Sequence, residues 1–341
     1  MTEITTPADF QDLVNGFRVS RIILTGAELK VFDHLLSPGN SSETVAGFLG
    51  TDPRGTNRLL NALVAIGLLR KANGMFSNTA FSDKFLVSSS PFYLSNLNHT
   101  NRLWKSWSTL TDALIAGTSV AVDQPINERS DDWQEAFIAA MHRRAGPQAI
   151  EVADVLDLIP VLRVLDVGGG SGAFTQEFLK RNPKMTGVVF DLPNIVGITK
   201  KYLTLSSSLL KDEGQEYSGI QNRISVIAGD YLRDSFGSGY DLVFMSAIIH
   251  INSPEENRLL VQKGVQSLNP GGQLVILDHI MSKDRTEPTV GAIFAINMLV
   301  GTKHGDTYTE QELRSWMREA GLQDITIVTT QGGVQIMIGR K

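Results

Sequence analysis

The densest cluster of residues able to do chemistry is Val164-Leu165-Asp166-Val167-Gly168-Gly169-Gly170-Ser171-Gly172. An apolar run ends at a carboxylate and passes into glycines. Such a turn lets backbone N–H groups approach a ligand closely beside a helix N-terminus. Taken alone the run is ambiguous, because Gly168, Gly170 and Ala173 also satisfy the loose dinucleotide pattern. Asp166 stands at the strand end, placed to orient the turn or a ligand amine, where nicotinamide sites usually carry an apolar residue. Asp191, in Phe190-Asp191-Leu192-Pro193, closes the second apolar run, where a carboxylate accepts from both ribose hydroxyls. NAD enzymes share that feature. Gly229-Asp230-Tyr231 closes the third, where a carboxylate and an aromatic ring hold an adenine amino group and its ring face.

The elements that must position these residues follow from periodicity. Apolar runs at Arg163–Val167, Thr186–Asp191, Ile224–Ala228, Tyr240–Ser246 and Gln273–His279 predict strands. Helical spacing fills Ser171–Arg181, Ile195–Leu210 and Pro254–Leu268 between them. Apolar strands alternating with helices predict an α/β fold with a mostly parallel sheet covered on both faces. A helix over Thr309–Ala320 and two strands, Asp324–Thr329 and Val334–Gly339, follow. Their short turn at Gly332-Gly333 makes one strand antiparallel. Lys211–Gln221 reads as a solvated connection.

The first hundred residues predict a helix from Phe10 to Leu35, a short one opened by Ser41-Ser42-Glu43-Thr44 and running to Leu49, closed by Gly50, and one from Asp52-Pro53 to about Ile66. Leu69–Phe76 predicts a hairpin turning at Asn73-Gly74. Helix, turn, helix and hairpin is a winged-helix arrangement. Eight basic residues among positions 1–100 face eight acidic ones, so the segment is neutral and lacks the basic face of a DNA reader. A structural or dimerising role is expected. Positions 101–144 predict helices with Trp104, Trp107, Leu110 and Leu114 on one stripe and Trp133, Phe137 and Met141 on another, joined by a polar linker, Gly117–Asp132. The expected organisation is a domain over 1–100, a helical segment over 101–144 and an α/β domain over 145–341.

Composition bounds the function. The chain has 341 residues, 42% hydrophobic and 20% charged, with net charge −5 and no cysteine. This excludes disulfides, thiolate metal sites and cysteine nucleophiles. Nothing marks the chain for nucleic acid or an anionic membrane. The acidic, polar N-terminus has no signal-peptide pattern, and no apolar run approaches the roughly 20 residues that span a bilayer. The expected location is the cytoplasm. No His-x-x-x-His or acidic cluster has metal-ligand spacing, so no metal is expected. Ser171 has no nucleophile-elbow context.

Together, Leu165–Gly172, Phe190-Asp191-Leu192-Pro193, Gly229-Asp230 and Leu268-Asn269-Pro270-Gly271-Gly272 resemble the S-adenosylmethionine-dependent O-methyltransferases of the plant phenylpropanoid and bacterial antibiotic type. Glu28–Asp33 and Leu59–Leu69 resemble that family's dimerisation domain, so the resemblance covers nearly the whole chain. It implies a Rossmann-like methyltransferase domain, a homodimer, and a small, aromatic or polyketide-like acceptor. It implies that Asp166, Gly168, Gly170, Asp191, Leu192, Asp230, Tyr231 and Ser246 hold S-adenosylmethionine, which leaves as S-adenosylhomocysteine.

The same resemblance implies a general-base histidine after the fourth strand, here His250, and an orienting carboxylate, here Asp278. An imidazole taking the acceptor's proton contributes about 10²–10⁴-fold. His250 also reads as a polar residue ending a strand, and Asp278 as a turn cap. Family members usually carry an aspartate and Trp after the histidine, where this chain has Ile251-Asn252. A second carboxylate before the last helix is replaced by Thr307-Tyr308-Thr309. His279, next to Asp278, is expected on the opposite face. The resemblance also implies that Phe137, Met141, His142, Asn297 and Met298 face the acceptor, against the reading that each is core. The rival readings are an N- or C-methyltransferase or non-methylating relative on the same fold, a nicotinamide oxidoreductase, and an S-adenosylmethionine-sensing DNA-binding regulator.

Overall fold

The computed structural model describes residues 4–94, 96–121, 130–209 and 219–341. The expected Gly117–Asp132 linker and Lys211–Gln221 connection lie in large part outside them. The chain divides into two compact units, Met1–Trp104 and Lys105–Lys341.

In the first unit α1 (Pro7–Asn15) and α2 (Phe17–Glu28) replace the single long helix expected from Phe10 to Leu35. Helix α1 starts earlier because Thr6 and Asp9 form a reciprocal capping box, and it stops at Gly16. Beyond α2, Lys30 adopts φ 54° and the chain tightens into a 3₁₀ turn, Val31–His34. Helices α3 (Ser42–Leu49) and α4 (Pro53–Ala65) lie where their caps place them. Ser41 accepts from the Thr44 N–H, Gly50 takes φ 65°, and Asp52 accepts from the Gly55 N–H at 2.8 Å. The hairpin of β1 (Leu69–Ala72) and β2 (Met75–Asn78) turns at Asn73 and Gly74, both at positive φ. Phe32, Leu60, Leu63 and Phe76 fill the core, and α5 (Ala80–Phe85) closes it. On α1 and the start of α2, by contrast, Phe10, Leu13, Val14 and Phe17 share one face and are all exposed.

Helix α6 (Asn96–Trp107) crosses the boundary between the units. The stripe expected through Leu114 is broken at Ser108-Thr109: α7 (Leu110–Ala116) is a separate helix, and Leu114 is 60% exposed. Helix α8 (Asp131–Val155) precedes the sheet unit, which runs β3 (Arg163–Val167), α9 (Ala173–Arg181), β4 (Thr186–Asp191), α10 (Val196–Leu209), β5 (Ile224–Ala228), β6 (Tyr240–Ser246), α11 (Pro254–Ser267), β7 (Leu268–Leu277), β8 (Ile280–Met281), α12 (Thr289–Gly301), β9 (Tyr308–Thr309), α13 (Glu310–Glu319), β10 (Gln323–Thr329) and β11 (Gln335–Arg340).

Seven strands form one sheet in the order β10-β11-β7-β6-β3-β4-β5. β11 runs opposite to the other six strands, and it lies between β7 and β10. Successive strand residues face opposite sides, so the sheet builds two cores. Leu165, Val243 and Ile276 join one; Val164, Phe244 and Val275 join the other. Complete burial of each such side chain contributes roughly 1.5–3 kcal/mol. Strand β7 begins at Leu268, earlier than expected, and ends at Leu277, short of His279. Its early part pairs with the C-terminus, where the Gly271 N–H donates to the Lys341 carbonyl and the Lys341 N–H to the Gly272 carbonyl. Asp278 and His279 therefore lie on a turn and no longer follow strand alternation.

This order places the site. From β3 the chain winds outward through β4 and β5, then returns to β6 on the other flank of β3. Connections diverge at the carboxyl ends of β3 and β6 and leave a crevice there, where open α/β sheets bind ligands.

Candidate active site

The crevice holds a cavity of about 1040 Å³ including its open mouth, large enough for a nucleoside-bearing cofactor and part of a second molecule. Asp166, Gly168, Gly170, Asp191, Leu192, Tyr231 and Ser246 line it, as do Phe137 and Met141. Sequence positions up to about a hundred residues apart thus converge because β3, β4, β5 and β6 all end at this edge.

The glycine turn is shaped by backbone need. Gly168, Gly170 and Gly172 all have positive φ. A Cβ on Gly168 would stand 2.6 Å from Ile248 Cγ2, and one on Gly169 2.7 Å from Asp166 Cγ. Asp191 fixes the turn from β4: one oxygen accepts from the Gly170 N–H at 2.7 Å, the other from the Leu192 N–H at 2.8 Å. Thr199 on α10 donates its hydroxyl to the Gly170 carbonyl at 2.6 Å. Burial pushes the Asp191 carboxyl up to about 6 against those two N–H groups.

Asp166 is buried, and Thr175 on α9 donates to its Oδ2 at 2.7 Å. Its Oδ1 has no partner. Burial pushes its carboxyl up to about 7; the Thr175 hydroxyl opposes this and the Asp191 charge adds to it. A buried acceptor with a free oxygen in a cavity wall calls for a donor, and an ammonium is the donor that gains most there.

Tyr231 is largely buried, and its hydroxyl donates to Asn252 Oδ1 at 2.9 Å. Burial raises its pKa. Asp230 lies outside the cavity lining. Its Oδ1 accepts from the Leu232 N–H at 2.9 Å, and its other oxygen is 3.5 Å from Arg233. In this geometry it caps the turn after β5.

His250 sits on the 3₁₀ turn after β6, 8% exposed, beside the lining residues Ile248 and Ile251. Its Nδ1 lies 2.8 Å from Asp278 Oδ1 and 3.0 Å from Oδ2. Asp278 also accepts from the main-chain N–H of His250 at 3.2 Å and of His279 at 2.8 Å. Burial opposes its charge, but the His250 ring and these hydrogen bonds hold its carboxyl below the usual range. Phe294 of α12 packs edge-on to His250, ring centres 4.8 Å apart. The same Phe294 lies 4.5 Å from the His279 ring, so His279 is not on the opposite face as expected but at this site. The turn past Leu277 swings it there. Burial, with Arg144 and His250 nearby, pushes the His279 imidazole down to about 4 despite Asp278.

The remaining acceptor-facing expectations are placed differently. His142 Nδ1 lies 2.9 Å from Ser171 Oγ, and its ring packs against Tyr202. Asn297 accepts from Trp107 Nε1 at 2.9 Å, and Met298 is buried. None of the three lines the cavity.

Asn252, Thr175, Arg144 and Phe294 were not singled out from sequence. Asn252 donates to the Ile248 carbonyl at 3.1 Å and to Asn257 Oδ1 at 3.1 Å, while Asn257 donates to the Ile249 carbonyl at 2.9 Å. Tyr308 donates to the Asn252 carbonyl. Asn252 thereby holds the His250 turn, and Tyr308 holds Asn252. The sequence signal was present: a polar residue where the resemblance leads one to expect Trp, and a tyrosine within the segment that replaces the one carrying the second carboxylate. Among the described residues no group of three or more His, Cys, Asp or Glu could hold a metal ion, and no helix is long and apolar enough to cross a membrane.

Comparison with known proteins agrees with this geometry. The O-methyltransferase domain family matches residues 116–323 and the O-methyltransferase dimerisation domain family residues 11–88. The chain is 29% identical to acetylserotonin O-methyltransferase of Gallus gallus, over 96% of this chain and 95% of that one. It is 28% identical to 3-hydroxy-5-methyl-1-naphthoate 3-O-methyltransferase of Streptomyces sahachiroi, over 94% and 91%. Among solved structures it resembles human N-acetylserotonin methyltransferase in complex with SAM, at TM-score 0.80 and 25% identity, over 100% of this chain and 99% of that one. The seven-stranded sheet with its single antiparallel strand is the class I methyltransferase fold. The chain belongs to the O-methyltransferase family, with that family's dimerisation domain at its N-terminal side.

Proposed function

We propose that the chain transfers the methyl group of S-adenosylmethionine to a hydroxyl of a small aromatic or polyketide-like acceptor, with His250 as general base. The observation that carries this reading is the buried His250–Asp278 pair beside the cavity. The cavity residues suit the cofactor. Asp191 and Leu192 would hold the ribose and its base, Tyr231 and Ser246 line the same cavity, and Asp166 Oδ1, without a partner, would accept the methionine ammonium.

When bound, S-adenosylmethionine supplies a methyl group on a sulfonium, whose departure needs no proton. The chain's own task is to position the acceptor and remove its proton. Nδ1–H of His250 donates to the Asp278 carboxylate, which fixes the tautomer and leaves the Nε2 lone pair for the hydroxyl proton. As the oxygen–methyl bond forms, the imidazole becomes cationic, and the buried Asp278 carboxylate stabilises that charge. Phe294, packed edge-on to the ring, limits its rotation. Holding the acceptor oxygen in line is the other source of rate.

The naphthoate relative and the tetracenomycin 8-O-methyl transferase of Streptomyces glaucescens, 25% identical, support a fused aromatic acceptor. Phe137 and Met141 give the cavity an apolar wall for one. The dimerisation domain match and the exposed Phe10, Leu13, Val14 and Phe17 face support a homodimer.

Methyl-labelled S-adenosylmethionine incubated with phenols and hydroxylated polycycles tests the reading. Label should reach an oxygen, and His250→Ala should reduce transfer at least about tenfold. Undiminished transfer by the variant removes His250 from the mechanism, and label on nitrogen or carbon alone removes the O-methyl reading.

A further inference from the structure

Arg144 is the one basic residue among the described residues lining the cavity. Helix α8 presents Phe137, Met141, Arg144, Ala145 and Gln148 to it at intervals of four, three, one and three residues, which is a single helical face. The side chain is solvent-exposed yet forms part of the wall, and it makes no ion pair with any described carboxylate. Its one polar contact is weak: Nη2 lies 3.4 Å from His279 Nε2. His279 adjoins Asp278, which holds His250, so a chain of contacts links Arg144 to the proposed base. The guanidinium is thus tethered near the point of transfer with most of its donors free.

We propose that Arg144 anchors a ligand carboxylate at the transfer site, with His279 holding the guanidinium in place. The inference rests on the proposed methyl-transfer reading and adds a ligand feature that the reading does not contain. Two carboxylates fit this chemistry: that of the donor's methionine moiety, and one borne on the acceptor ring. Arginine suits either, because its planar fork pairs both carboxylate oxygens at once. The unpartnered Asp166 Oδ1 in the same cavity is the complementary half for a zwitterion. His279 suits the tether role because burial keeps its ring neutral at ordinary pH, so Nε2 accepts from Arg144 and does not repel it.

Calorimetry on the full chain separates the sources. S-adenosylhomocysteine carries the methionine carboxylate and ammonium and 5′-methylthioadenosine lacks both, so the pair reports on the amino-acid end, and the Arg144 variants isolate the carboxylate's share. A hydroxynaphthoate and its carboxamide, titrated into protein saturated with S-adenosylhomocysteine, isolate the acceptor's. The variants are Arg144→Met, which keeps the apolar stem, and Arg144→Lys, which keeps the charge but loses the fork. With the donor as source, Arg144→Met weakens S-adenosylhomocysteine by about 10- to 100-fold and leaves methylthioadenosine unchanged. With the acceptor as source, S-adenosylhomocysteine is unaffected and the preference for the naphthoate over its amide disappears. In either case Arg144→Lys recovers only part of the loss. If the Met variant folds with an unchanged melting temperature and neither comparison moves, Arg144 anchors nothing. If the unmodified chain binds neither nucleoside, the donor reading itself fails, a result distinct from failure of Arg144.

Discussion

Asp278→Asn tests the orienting role while nearly preserving shape. The carboxylate faces three donors: the single Nδ1–H of His250, shared between its oxygens at 2.8 and 3.0 Å, and the main-chain N–H of His250 and of His279. Its side chain is 4% exposed and that of His250 10%, so water screens the pair little. An amide offers one oxygen and one NH₂. Whichever way it is turned, the NH₂ faces a donor. The lower bound on the loss is one hydrogen bond to a charged group, about 1.5–3 kcal/mol. The upper bound is the attraction between carboxylate and imidazolium, about 4 kcal/mol at roughly 4 Å in an effective dielectric near 20. At about 1.4 kcal/mol per factor of ten, kcat should fall by about 10- to 1000-fold while KM changes little. Steady-state transfer to a phenol above pH 7, with S-adenosylhomocysteine affinity as a control for the cofactor site, measures it. The folded-state pKa of Asp278 is lowered, so its stabilising contribution is present above the unfolded carboxylate value and is lost only as pH falls through the lowered one. Acidity therefore does not complicate assays near neutrality. A folded Asn variant with kcat within threefold of the parent would refute the orienting role and leave Asp278 as a turn cap.

Four further results are expected. Gly168→Ala meets a φ of +66° and an Ile248 methyl 2.6 Å from the new Cβ, so urea unfolding should show a loss of about 2–4 kcal/mol, whereas Gly197→Ala, with nothing within 4 Å, should be neutral or slightly stabilising. Asp166 and Asp191, raised to about 7 and about 6, bind protons in the folded state that the unfolded chain has released, so the free protein should lose stability as pH rises from about 4 to 7. By the same linkage, an ammonium docking at Asp166 should expel a proton, and calorimetry near pH 6 in buffers of different ionisation enthalpy should detect its release on binding S-adenosylhomocysteine; heats independent of buffer count against that assignment. Phe10→Asp with Leu13→Asp should convert a dimer to monomer by sedimentation, because both residues lie on the exposed α1 face; an unchanged mass places the interface elsewhere.

What was legible in the sequence was what local rules govern. The ends of β3, β4, β5 and β6 were read to the residue, because each is an apolar run bounded by a turn or cap, buried in β3, β4 and β6 and half-exposed at the sheet edge in β5. The β1–β2 turn followed from Asn73-Gly74 and the start of α4 from Asp52-Pro53. The errors arose where non-local contacts overrule local pattern. Strand β7 reaches back to Leu268 because Leu268 pairs with Tyr240 of β6 across a register shift and the chain terminus pairs at Gly271 and Gly272, and nothing near residue 268 announces those partners. His279 moved to the site because the strand ends two residues before it, and alternation predicts a face only while a strand lasts. Asp230 and Asn297 are polar groups near a cavity, but their hydrogen bonds lead to a turn N–H and to Trp107, choices that only three-dimensional neighbours decide.

The departures around His250 acquire a physical explanation from these contacts. An acidic residue directly after the histidine would belong to the same turn as the base. Here the acid comes from the turn after β7, and the position two beyond the histidine holds the turn's shape. Asn252 donates to the Ile248 carbonyl and to Asn257, and accepts from Tyr231. A carboxylate there could not donate, and would face a carbonyl oxygen and an amide oxygen across about 3 Å. Tyr308 has the matching role on the other side, since a hydroxyl can donate to the Asn252 carbonyl and an ionised carboxylate cannot. Tyr231 connects this latch to the cavity, because it lines the wall while its hydroxyl reaches Asn252. Beside the replaced acidic positions, Ile251 and Thr307, stand groups that fix the backbone of the His250 turn, while among the described residues the one carboxylate paired with the imidazole is the buried Asp278.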